Sequence, residues 1–198
     1  KYSRELTRQQ NTMTVSGTMD GVWDGCYKAI NVANGAIKHI PEIAMDGSVA
    51  ARLVGEAKFF RAFNYFTLVK TFGAVPMPTE PYESMENLYL ERTAAETVYG
   101  LIESDLKDAV NNLPAEKFYS NGNRVTKYAA AMLLTAVYMQ ENKYADAASS
   151  AKMVIDSPHA LATNDDLALG SAYNKIRTTD GLDESIYSYE YNATISSG

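Results

Sequence analysis

Apolar residues recur three and four apart through most of the chain, the spacing that gives a helix one buried stripe. The first such run is Val22, Trp23, Cys26, Tyr27, Ile30, Ala33, Ile37 and Ile40. Asp20 is placed to cap this helix at its start, and Pro41 ends it. Ser48 is placed to cap a second helix, Val49 to Thr71. There Phe59, Phe60, Phe63, Tyr65, Phe66, Leu68, Val69 and Phe72 predict a broad buried face. Gly73 suits the left-handed position that closes a helix. Val75-Pro76-Met77-Pro78 then forces an extended exit, because proline disfavours helix in the residue before it. Pro76 to Arg92 reads as a loop, and Lys1 to Met19, polar and without clear period, as another with at most a short helix.

Thr93-Ala94-Ala95-Glu96 has the spacing of a capping box, in which hydroxyl and carboxylate each satisfy an orphan backbone N–H. The helix after it would bury Val98, Leu101, Ile102, Leu106, Ala109, Val110 and Leu113, and Pro114 stops it. A Gly/Asn loop over 115–124 leads to Thr126, placed to cap a fourth helix to about Glu141. Asn142 and Lys143 make a tight turn, and a fifth helix runs from Tyr144 to Asp156, ending at Ser157-Pro158. Ala129, Ala130, Ala131, Ala136, Ala145, Ala147, Ala148 and Ala151 are small enough to let these two helices approach closely, with Tyr138 and Tyr144 around the turn. The pattern Ala-x-x-Leu-x-x-Val-Tyr, turn, Tyr-x-x-Ala-x-x-x-Ala resembles a tetratricopeptide repeat. Helix pairs are thus expected at about 20–71 and 94–157 in a single mainly α-helical region covering 1–198.

Residues 159–173 read as loop with one helical turn at most. Glu184 to Tyr191 then alternates, with Tyr187, Tyr189 and Tyr191 on one face, and predicts a short strand at about 185–191. An isolated strand leaves its backbone groups unpaired. The expectation is that the natural protein continues past Gly198, or that the strand pairs with something outside these residues.

The single cysteine, Cys26, excludes an internal disulfide. A net charge of −6 gives no general drive toward polyanions, so nucleic acid is not an expected partner. The most apolar run, Tyr128 to Met139, is far shorter than the ~20 residues a bilayer span takes. Lys1 to Leu6 has no apolar signal-peptide core, so the chain is either cytosolic or trimmed. His39 and His159 have no metal-ligand spacing with another His or Cys. No GxxxxGK[ST] or GxGxxG occurs. Asn164-Asp165-Asp166 lacks the glycine and glutamate of an EF-hand loop and reads as a turn cap. Cys26, on an apolar face, reads as a small hydrophobe, and Asn192-Ala193-Thr194 fits a glycosylation acceptor. No cofactor, metal or catalytic group is therefore expected.

The pattern Gly-Glu-Ala-x-Phe-x-Arg-Ala-x-x-Tyr-Phe-x-Leu-Val-x-x-Phe-Gly-x-Val-Pro, from Gly55 to Pro76, resembles the signature of the SusD/RagB family. Four further stretches fit in order. These are Trp23 to Asn34, Val98 to Pro114, Arg124-x-Thr126-Lys127-x-Ala129, and the Glu-x-Ile-Tyr stretch within Asn174 to Tyr191. The resemblance implies a SusD-like, mainly α fold with tetratricopeptide-like repeats, whose C-terminal strand belongs to a missing second half. It implies a non-enzymatic, surface-exposed outer-membrane lipoprotein that captures an oligosaccharide, sometimes a peptide, and passes it to a TonB-dependent, SusC-like transporter. Two departures stand out: the family's lipidated N-terminal cysteine is absent, Cys26 being inside a helix, and so is the second half that supplies part of the ligand surface.

Glycan contact calls for aromatic platforms in loops. Tyr2, Tyr82, Tyr89 and Tyr119 meet that description, with Arg8, Asn11 and Asn123 as hydrogen-bonding partners. One platform gives about 0.5–1.5 kcal/mol beyond burial, against roughly 4 kcal/mol for millimolar binding, so two or three must converge. Trp23 and the Phe59–Phe72 cluster read as core. Glu56, Glu103 and Asp105 read as solvated helix faces, with Glu56 and Arg61 also belonging to the family pattern as candidates for structural pairing. The rival reading is a repeat scaffold that binds a protein and no small ligand; an enzyme with an unseen site is a third.

Overall fold

The computed structural model describes residues 18–83, 89–164 and 171–188. Six α-helices occur among them: α1 (Thr18–His39), α2 (Gly47–Phe72), α3 (Ala95–Asn112), α4 (Lys127–Gln140), α5 (Tyr144–Ile155) and the short α6 (Ala172–Thr178). The first five stand in a row, each packed on its neighbour in the chain, as in a tetratricopeptide-like array.

Helix α2 is the hub, touching α1 and α3 and, more lightly, α4. Phe59, Ala62, Tyr65, Phe66, Leu68 and Val69 are buried on it. Phe60, expected in the core, is instead 37% exposed, because its side of the helix faces a surface hollow. Gly55 faces the end of α3, where an added Cβ would make ordinary contact with the Cβ of Asn112 at 3.4 Å. Its cap is Asp46, two residues before the expected Ser48, whose carboxylate accepts from the Ser48 and Val49 N–H groups at 2.8 and 3.2 Å. At the other end Gly73 takes φ +70° and ψ −128°, and its N–H donates to the Val69 carbonyl.

Two other expected caps differ. α1 begins at Thr18, so Asp20 lies in its first turn rather than at the cap, where its charge still favours the helix dipole. The Thr93 capping box does not form. Thr93 is drawn into an antiparallel bridge with Val75, its N–H donating to the Val75 carbonyl at 2.9 Å, and Ala94 occupies the cap without a side-chain bond. Thr126 does stand at the N-cap of α4, but its hydroxyl makes no capping bond.

The turn between α4 and α5 is held by the Lys143 N–H donating to the Tyr138 carbonyl at 2.9 Å, with Asn142 at φ 60°. Ala129, Ala130, Ala131 and Ala147 are buried, whereas Ala136, Ala145 and Ala148 face solvent. Tyr138 is buried; Tyr144 stays outside, donating to the Asn142 carboxamide oxygen at 2.7 Å.

No strand forms over residues 185–188, and Tyr189 to Tyr191 lie outside the described residues. A strand needs a pairing edge. Here Ile186 and Tyr187 both pack onto the helical core, Tyr187 between Phe59 and Phe118 at ring-centroid distances of 6.0 and 5.5 Å. The short helix α6 (Ala172–Thr178) begins where the expected loop over 159–173 ends.

Candidate functional site

The segment from Pro76 to Tyr82 has no secondary structure of its own, so its carbonyls need partners from elsewhere. Side chains of α1 and α2 supply them. Tyr27 donates its hydroxyl to the Pro76 carbonyl at 2.7 Å, and Tyr65 donates to the Pro78 carbonyl at 2.7 Å. Burial pushes both phenols far above their ordinary range, which keeps them as donors. Asn34 donates to the Pro78 and Glu80 carbonyls at 3.0 and 3.2 Å, and Asn31 accepts the Tyr82 N–H at 2.8 Å.

Beneath this lies a buried ion pair. Arg61 donates from Nε and Nη2 to the two oxygens of Asp105 at 2.7 and 2.8 Å, and from Nη1 to the Asn34 oxygen at 2.9 Å. Burial pushes the Asp105 carboxyl up, while the hydrogen bonds and charge of Arg61 pull it back down. Asp105 is 2% exposed, so it is no solvated face. Glu56 does not pair with Arg61 either; it takes Arg124, whose Nη2 and Nε donate at 2.7 and 3.0 Å.

At the far end of the loop, Glu83 accepts from Lys38 Nζ at 2.5 Å and faces His39 Nε2 at 2.7 Å, while His39 Nδ1 faces Glu42 at 3.0 Å. Both ring nitrogens meet carboxylates, an arrangement only the imidazolium satisfies as a double donor. Hydrogen bonds to Glu42 and Glu83 accordingly raise the His39 pKa, and those from Lys38 and His39 lower that of Glu83.

The clamped loop makes a groove with two adjoining hollows. One, about 400 Å³, is lined by Trp23, Tyr27, Pro76, Tyr82, Tyr89 and Leu90 among others; the second, about 480 Å³, continues past Tyr82 and Leu90 toward Glu80 and Lys38. Trp23, half-buried, leans on Tyr27 with ring centroids 4.9 Å apart and on Phe72 edge-on at 5.1 Å. It therefore both packs and lines the groove.

Of the sequence-predicted contacts, the structure brings Tyr82 and Tyr89 together here, 41% and 97% exposed. Tyr119 and Asn123 are elsewhere. Tyr119 is half-buried, edge-on to Phe118 at 5.1 Å, with its hydroxyl 3.5 Å from that of Ser188. Asn123 lines a separate hollow of about 340 Å³ with Phe60, Arg124 and Tyr187. Tyr2, Arg8 and Asn11 lie outside the described residues, as do Asp165, Asp166 and Asn192. Among the described residues no cluster of His, Cys, Asp and Glu is arranged to hold a metal, and no helix is long and apolar enough to cross a membrane.

Sequence reasoning missed the clamp itself. The signal was present: Asp105 falls in the stripe Ile102, Asp105, Leu106, Ala109, and a carboxylate in an apolar stripe needs a cation.

A family model described as starch-binding, associating with the outer membrane, and named SusD-like, matches residues 1–139. "SusD-like protein P2" of Formosa agariphila is 29% identical over 186 residues, 92% of this chain and 36% of the relative. A solved SusD-like protein from Bacteroides fragilis superposes with a TM-score of 0.80 at 27% identity, over 91% of this chain and 35% of that one. A solved laminarin-binding SusD-like protein does so with a TM-score of 0.65 at 34% identity, over 71% of this chain and 30% of that one. The chain thus spans about a third of the length of these relatives. With the family model matching more than two thirds of its residues, this chain belongs to the SusD-like family.

Proposed function

We propose that this chain forms part of a non-enzymatic glycan-binding protein of the outer-membrane surface, which hands an oligosaccharide to a TonB-dependent, SusC-like transporter. The observation that carries the reading is the groove in which Trp23, Tyr27, Tyr82 and Tyr89 converge on a loop fixed from beneath. Several aromatic faces in one groove meet the requirement that no single platform can. Likeness to a laminarin-binding protein at 34% identity supports a carbohydrate ligand, and the family description supports the membrane location.

The test is calorimetric titration of the chain with a panel of neutral oligosaccharides, laminarin and starch fragments included. Tyr82→Ala and Tyr89→Ala are each expected to weaken binding about 3- to 10-fold, from the energy of one aromatic contact. The sugar is recovered uncleaved. Binding that is unchanged in the folded double variant removes the groove as the site.

One observation favours the scaffold reading for another face. Met132, Met139, Tyr144 and Ile155 are exposed on α4 and α5, and Ile155 is 77% accessible. Such a surface suits a protein partner, and the transporter is the partner the family reading supplies. Loss of partner capture on Met139→Glu/Ile155→Glu, with glycan binding kept, is the expected result.

A further inference from the structure

We infer that the groove selects uncharged oligosaccharides and turns away chains carrying uronates or sulfates, an inference that rests on the glycan reading above. Among the described residues, the charged side chains lining the groove are Glu80, Glu83, Glu91 and Lys38. Lys38 and Glu83 cancel one another at 2.5 Å. Glu80 and Glu91 make no salt bridge among the described residues, although Lys38 also feels the charge of Glu80, so the described lining carries a net negative charge. Arg92 acts on the Tyr27 hydroxyl electrostatically but lines neither hollow.

Position matters as much as sign. Glu80 is not on a free loop: its carbonyl accepts from Asn34, which is buried and held in turn by Arg61. Its backbone is thereby anchored beside the hollow, and its exposed side chain keeps the carboxylate within reach of it. Glu91 lies two residues before Thr93, whose bridge to Val75 fixes the returning strand of the loop. Two carboxylates carried on anchored backbone therefore flank the aromatic platform.

A carboxylate is acceptor-only, and sugar hydroxyls are donors, so a neutral chain gains charge-assisted hydrogen bonds from the same groups that repel an anionic one. Attraction and repulsion from one pair of residues is how a site gains selectivity without extra contacts. Repulsion between exposed charges fades with salt, because the screening length falls to about 10 Å at 0.1 M.

The test compares size-matched neutral glucan oligomers with oligogalacturonates and sulfated oligosaccharides on the 198-residue chain, at low and at high salt. The expected result is at least about tenfold weaker binding of the anionic chains at low salt, a gap of 1.4 kcal/mol. The gap narrows at high salt and in the Glu80→Gln/Glu91→Gln variant. Equal or tighter binding of the anionic chains at low salt, weakened by Tyr82→Ala, overturns the selectivity and leaves the glycan groove standing. A neutral-to-anionic ratio that the double glutamine variant does not move also overturns it. Failure of both classes to bind overturns the glycan reading and this inference with it.

Discussion

Arg61 and Asp105 face each other from neighbouring helices with two near-parallel hydrogen bonds, both partners almost without solvent contact. The guanidinium's remaining edge reaches Asn34, and Asn34 reaches the loop. An ion pair in the packed core thus terminates in the backbone of a surface groove.

Removing one partner leaves the other charged and unpaired. Asp105→Ala and Arg61→Ala are each expected to lower unfolding stability by about 3–5 kcal/mol, read as a shift of the urea midpoint with little change in slope. Arg61→Lys should not rescue, since an ammonium cannot reproduce the two-pronged contact. The double variant Arg61→Met/Asp105→Leu is expected to be less damaging than either single loss.

Asn34→Ala removes the donor shared by the Pro78 and Glu80 carbonyls. The cost is expected at about 1–3 kcal/mol, because the Glu80 carbonyl and Arg61 Nη1 lose this partner while the Pro78 carbonyl keeps Tyr65. Faster hydrogen exchange at Tyr82, next to the freed segment, checks that the loss is local.

Gly73 sits at φ +70° with ψ near −128°, a region a side chain enters only under strain. Gly73→Ala is expected to destabilise by about 1–3 kcal/mol, although a Cβ there would meet nothing within 4 Å. A thermal melt separates this backbone effect from packing, because Gly55→Ala, which adds contact without positive φ, should cost less.

The His39–Glu83 contact predicts a pH window. The folded pKa of His39 is raised, so its contribution is complete below the unfolded value near 6.5 and is lost as pH rises through the folded value. That of Glu83 is lowered, so its contribution is present above the usual glutamate value and is lost as pH falls through the folded one. The clasp is strongest between the two. An NMR titration should place the His39 midpoint above 6.5, and Glu83→Gln should bring it down toward that value.

The helices were legible because their stripes are long and bounded by Pro41, Pro114 and Pro158. Caps were less so: Asp46 and Ser48 are equally good on paper, and only the turn geometry chooses the aspartate. The loop tyrosines illustrate the limit for the site. Tyr82 and Tyr119 are both loop tyrosines, yet Tyr82 is placed by Asn31, 51 residues away and beyond any reading of spacing, while Tyr119 leans on its neighbour Phe118. Alternation at 184–188 misled because periodicity reports faces and not whether a pairing edge exists.

The Val75–Thr93 bridge joins the two ends of the groove-forming loop. With its endpoints fixed there and Pro76 to Glu83 clamped by α1 and α2, length can be added between Glu83 and Thr93 without disturbing the clamp. Doubling the loop's length there would cost only about 0.6 kcal/mol in closure entropy. One helical frame can therefore carry loops of different length over the same surface.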